Sequence, residues 1–159
     1  MSKRVEILRE RLEKSREYLN RVLDAVGDRW ETQVYSDGAQ WNVHQLLIHI
    51  AIADIGMLRN MQSIAQGIES VPADFDVERY NRRSVEKRAD MTVEEARASL
   101  ERSRAATEEW LASIDDDTLE LAGRHPSMQI LTIAQHLKVM SNHEQDHARD
   151  IASVLQIDA

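Results

Sequence analysis

The residue pattern predicts an all-α protein: a four-helix bundle with a long crossover, carrying a short extra helix, between its second and third helices. Three observations carry that prediction. Apolar residues recur at helical spacing along four long segments. Glycine and proline number only 5 and 2 in 159 residues, too few for a fold built on many turns. Ala, Leu, Glu and Arg, all good helix formers, recur throughout. The length suits a single domain spanning residues 1–159. With 42% hydrophobic and 30% charged residues, the chain has material for both a core and a solvated exterior, which argues against wholesale disorder.

The first helix is expected over about residues 2–28, where Val5, Leu8, Leu12, Leu19, Val22 and Val26 align as one stripe at steps of three, four and seven. Asp28 to Gln40, with Gly38, reads as a connection. Asn42 is the N-cap of the second helix and Gln45 its N3 partner, with Trp41 and Leu46 placed as a hydrophobic staple. That helix runs to about Gln66 and stops at Gly67. The crossover contains Pro72, then a polar helical stretch from Asp76 to Arg88 anchored by Tyr80 and Val85. Thr92 and Glu95 have capping-box spacing and open the third long helix, with Val93, Ala96, Leu100, Ser103, Thr107, Trp110 and Ile114 on one face. Asp115–Asp117 reads as a solvated end, and the segment through Gly123 and Pro126 as loop. Thr132 and Gln135 cap the last helix, whose inner stripe is Ile133, Leu137, Met140, Ile151 and Val154. Helices of this length reach ~35–40 Å and bury their stripes only against one another.

Charge and composition narrow the function. Lys and Arg total 20 against 28 Asp and Glu, a net charge of −8, which is opposite to the footprint of phosphate-backbone binding, so nucleic acid is not an expected partner. There is no cysteine, which excludes disulfides, iron–sulfur clusters and a thiolate nucleophile from the chain itself. The mixed-charge start, Met1 to Glu6, lacks a signal-peptide pattern, and the most apolar stretch, Leu46 to Leu58, is interrupted by His49 and Asp54. A soluble, cytoplasmic protein without membrane contact is expected. Neither a glycine-rich phosphate loop nor a G-x-S-x-G elbow is present, so any chemistry must lie among the helices.

Six histidines occur, three of them in the last helix. His143 and His147 are four apart, about 40° in azimuth and ~6 Å along the axis, a spacing that lets two imidazoles reach one ion. His136 lies seven residues before His143, about 10 Å away, and is assigned to packing or a surface hydrogen bond. In the second helix, His44 and His49 point roughly 140° apart, and His49 is the inward one. His49, His143 and His147 would together provide three neutral nitrogen ligands with a position left open. Packed structural histidines are the competing reading of the same spacing. A di-iron carboxylate site fails on ligand count, since Glu144 and His147 form the lone Glu-x-x-His. Glu144 is either a carboxylate at the core edge or, as expected of such a residue, solvated. Asp54, Asp146 and Asp150 are candidate acceptors for imidazole N–H groups or plain surface acids.

Trp41 to Ala51 with Asp54, and Ser141 to Ile151, resemble the second-helix and last-helix motifs of the DinB-like superfamily. The likeness covers nearly the whole chain. It implies a four-helix bundle, often a homodimer, with a divalent metal such as nickel, zinc, iron or manganese held by His49, His143 and His147. It also implies a small-molecule substrate and, in some members, transfer involving a low-molecular-weight thiol, which a cysteine-free chain would take as co-substrate. A hydrolase is the related outcome. The alternative is a metal-binding or metal-free bundle acting as a dimeric interaction or stress-response protein without catalysis. Phe75, Tyr80 or Asn81 of the crossover, and the first helix, are expected around the pocket.

Overall fold

A computed structural model describes residues 1–159. In chain order the elements are α1 (Lys3–Asp24), β1 (Gln33–Ser36), β2 (Ala39–Asn42), α2 (Val43–Ala65), α3 (Val77–Lys87), α4 (Val93–Leu111), α5 (Asp116–Leu119), β3 (Ala122–Arg124), β4 (Ile130–Thr132) and α6 (Ile133–Leu155). The long helices α1, α2, α4 and α6 form the bundle, with α3 in the crossover. No helix is long and apolar enough to cross a membrane.

Both full capping boxes form as the residue types dictate. Asn42 Oδ1 accepts from Gln45 N–H at 2.8 Å while Gln45 Oε1 accepts from Asn42 N–H at 2.9 Å, and Thr132 and Gln135 repeat the exchange at the head of α6. Thr92 accepts from Glu95 N–H at 3.0 Å and caps α4. Gly67, at φ +74, ends α2 in the left-handed conformation.

Several expectations need correction. The presumed connection Asp28–Gln40 contains β1 and the start of β2, an antiparallel hairpin turning at Asp37 (φ 49) and Gly38 (φ 77). Asp-Gly is the strongest short-range signal for a two-residue turn whose backbone twist matches the strands. A second antiparallel hairpin, β3–β4, replaces the expected loop around Gly123 and Pro126. α1 ends at Asp24 and α4 at Leu111, short of the reach to 28 and 114. Asp115 caps the short α5 by accepting from Thr118 N–H at 2.9 Å. Val154 is 45% exposed; Leu155, four residues after Ile151, takes its place in the core.

Two apolar clusters make up the core. One holds 16 buried residues, among them Leu19, Leu46, Ile50, Leu100 and Ile151; the other holds 12, among them Leu12, Leu58, Leu111, Leu137 and Met140. Between them the helices bury polar side chains instead: Ser15 and Arg16 from α1, Asp54 from α2, Ser103 and Arg104 from α4, Glu144 from α6. The seven-residue step from Leu12 to Leu19 in the apolar stripe is where this polar layer crosses α1.

Candidate metal centre

His49 projects from α2, and His143 and His147 from α6, at the level of the polar layer. His143 Nε2 stands 3.1 Å from Nε2 of His49 and 3.1 Å from Nε2 of His147. One ligand atom from each of the three lies within 4.8 Å of the others. Two nitrogens each about 2.1 Å from a tetrahedrally coordinated ion stand roughly 3.4 Å apart, close to the two 3.1 Å separations that His143 makes. His49 and His147 are buried, and His143 is half-buried.

The electrostatics favour neutral imidazoles. Burial, helped by His147, pushes His49 from the ordinary 6.5 down to about 3. Burial and then the two neighbouring imidazoles hold His143 well below its ordinary value. His147 is also lowered by burial, opposed by Asp37, Asp150 and Asp146. Neutral rings offer the lone pairs that a metal ligand needs.

What lies behind the rings keeps them in place. Trp41, from the end of β2, lies against His49 with ring centroids 4.9 Å apart and also packs on the apolar cluster that contains Leu46. Ser36 Oγ, on β1, is 2.6 Å from His147 Nδ1 and 2.5 Å from Asp150 Oδ2. On the opposite side, Arg16 Nε donates to Glu144 Oε2 at 3.0 Å, Arg104 Nη2 donates to Glu144 Oε1 at 3.0 Å, and both guanidinium groups approach Asp54 Oδ1 at 3.4 Å. Ser15 and Ser103 add hydrogen bonds to Glu144 and Asp54 respectively. Two cations and two anions balance, so the layer is tolerable in the interior. Because Glu144 adjoins His143 and Asp54 lies five residues after His49, these ion pairs fix the rotation of α6 and α2 about their axes. Glu144 is thus buried, against the expectation of a solvated residue, and Asp54 serves arginines and a serine instead of an imidazole. Asp146 is exposed and pairs with Arg149.

A cleft of about 260 Å³ opens beside His49 and His147. Hairpin residues Ser36, Asp37, Gly38 and Trp41 form one wall, and Glu78, Asn81 and Arg82 of α3 the other. Asn81 takes its expected place in this lining. Phe75 and Tyr80 instead pack on each other at 5.4 Å, and α1 lends no residue to the lining. Ser36, Asp37, Glu78 and Arg82 escaped the sequence reading; Asp37-Gly38 as a turn signal, and the i, i+3, i+4 spacing of Glu78, Asn81 and Arg82, were the available clues. His44 stays outside, its Nε2–H donating to Met91 O at 2.6 Å. His136 likewise donates from Nε2 to Gly123 O at 3.2 Å, but it is buried, so its hydrogen bond is an interior one and not the expected surface one.

The sequence model of the DinB superfamily matches residues 6–151. The chain belongs to the DinB superfamily. YfiT from Bacillus subtilis, described as a probable metal-dependent hydrolase with an unusual four-helix bundle topology, has a similar solved structure. The TM-score is 0.74 at 20% identity, with 98% of this chain and 89% of that chain covered. At that identity the likeness establishes the shared fold, so the DinB-type bundle is common to both. No curated protein matches the sequence.

Proposed function

We propose that this protein is a divalent-metal-dependent enzyme that hydrolyses a small polar molecule bound in the cleft beside His49 and His147. The observation that carries the reading is the convergence of three imidazole Nε2 atoms at 3.1 Å steps beside an accessible cavity. His49, His143 and His147 would hold the ion, and three protein ligands leave room for a further one, as catalytic sites do. Nickel, zinc and iron suit imidazole donors, while manganese would need oxygen ligands from water or substrate in the open positions. When bound, the ion would supply Lewis acidity and an activated nucleophile.

The protein's own groups do the rest. The neutral imidazoles present lone pairs, Trp41 covers His49, and Asn81, Glu78 and Arg82 offer donors and acceptors to a polar substrate. The description of YfiT as a probable metal-dependent hydrolase supports hydrolysis. Transfer involving a low-molecular-weight thiol is the finer alternative, and with no cysteine in the chain the thiol must arrive as co-substrate.

Elemental analysis of untagged protein tests the reading. About one ion per chain is expected in wild type, as for a single three-histidine site, and its loss in His49→Ala and His147→Ala. The loaded protein is then assayed on esters and amides, and on electrophiles with added thiol. Wild type that takes up no nickel, zinc, iron or manganese overturns the proposal.

A further inference from the structure

Beyond the three histidines, Ser36 draws the eye because it is buried on a hairpin yet its hydroxyl serves two partners from α6. Its Oγ lies 2.6 Å from His147 Nδ1 and 2.5 Å from Asp150 Oδ2, and Ser36 is 2% exposed. The directions of these bonds follow from which atoms can donate. An ionised carboxylate only accepts, so the Ser36 hydroxyl must spend its single proton on Asp150. Its oxygen is then left as an acceptor toward the ring, and the ring nitrogen facing it must be Nδ1–H. A neutral imidazole protonated on Nδ1 carries its lone pair on Nε2, the atom that faces His143.

We propose that Ser36 and Asp150 are positioning residues: they hold His147 in the Nδ1–H tautomer and aim its Nε2 lone pair at the point where the three imidazoles converge. The metal-affinity part of this proposal rests on the metal-enzyme reading above; the tautomer part does not. Asp150 sits on the same helix as His147, one turn on, so the carboxylate and the ring are fixed relative to each other by α6 alone. The hairpin supplies the missing link. β1 pairs with β2 so that Ser36 faces Ala39 across a turn at Asp37 and Gly38, which places a hydroxyl from far away in sequence between the two. The same turn walls the cleft, so the segment that borders the bound molecule also orients one of the rings beside it.

The experiment reads the tautomer directly, by long-range ¹⁵N–¹H correlation spectra of the histidine rings in metal-free protein at pH 7.5, together with zinc and nickel titrations. Wild-type His147 is expected as the Nδ1–H form. In Asp150→Ala the Ser36 hydroxyl is freed to donate to Nδ1, and the ring is expected to shift toward Nε2–H. In Ser36→Ala the ring is expected to populate both forms, and Ser36→Thr, which keeps the hydroxyl, to restore the wild-type spectrum. Metal affinity should fall roughly 10–100-fold in Ser36→Ala and Asp150→Ala and recover in Ser36→Thr. Denaturant midpoints of the same variants separate this from loss of fold. A folded Ser36→Ala and Asp150→Ala in which His147 keeps the wild-type tautomer overturns the proposal. Wild type that binds neither metal, with the tautomer shifting as stated, overturns the metal reading and leaves the positioning of His147 by Ser36 and Asp150 standing.

Discussion

Glu144 is held by Arg16 inside the bundle at 3.0 Å, one residue along α6 from the imidazole of His143, whose Nε2 stands 3.1 Å from those of His49 and His147. Successive residues on a helix differ by about 100° in azimuth, so α6 presents the ion pair to α1 and α4 and the imidazoles to α2 and the hairpin. One helix therefore connects the charged layer of the core with the candidate metal centre.

Breaking that layer should be costly. Glu144→Ala leaves Arg16 and Arg104 facing Asp54 alone, and loss of one partner from a buried ion pair costs about 3–5 kcal/mol. Urea denaturation is expected to show that loss, and a cycle with Arg16→Met should recover part of it, because the second change removes the uncompensated cation. An unchanged midpoint in Glu144→Ala would mean the layer is solvated in solution.

Acid should weaken the fold through neutral buried histidines. Burial, then His136, pushes His125 from 6.5 down to about 4, and its Nδ1 accepts from Ser127 N–H at 3.0 Å. Between these two values the unfolded chain binds the proton on His125 and the folded chain does not, so the contribution of His125 to stability falls as pH drops from 6.5 and levels off below about 4. At about 1.4 kcal/mol per unit the total is at most a few kcal/mol. Stability measured against pH in metal-free protein should show the slope, and His125→Asn, which keeps an acceptor for Ser127, should reduce it, the remainder coming from His49 and the other buried histidines.

Metal should raise thermal stability. At free metal about 100 times Kd the folded state gains about 2.7 kcal/mol, roughly 5–10 °C in Tm for a chain of this size. Scanning calorimetry with and without a chelator should show that difference in wild type and none in His49→Ala.

Gly123 is expected to resist even alanine. A Cβ there would lie 2.5 Å from Ile64 Cγ1 and 2.8 Å from its Cδ1, where Ile64 is itself buried. Gly123→Ala should lose about 1–3 kcal/mol as the β3–β4 hairpin or Ile64 shifts. The penalty should shrink when Gly123→Ala is made in an Ile64→Ala background, measured by the same denaturation.

Much of this molecule is written in short-range spacing. The stripe from Val5 to Val26, the boxes at Asn42–Gln45 and Thr132–Gln135, and the four-residue step between His143 and His147 all follow from helix geometry, where residues three or four apart share a face. Those local rules determined four helices and told His49 from His44. They gave no means of placing Glu144 or Arg16, because a side chain on the border of an apolar face turns inward or outward according to the partner the neighbouring helix brings. Nor could they join Ser36 to His147, 111 positions apart, since a contact between segments exists only once the hairpin is docked on α6. Local sequence therefore set the helices and the histidine face, while the docking of the helices and hairpin decided which buried charges are neutralised and how His147 is held.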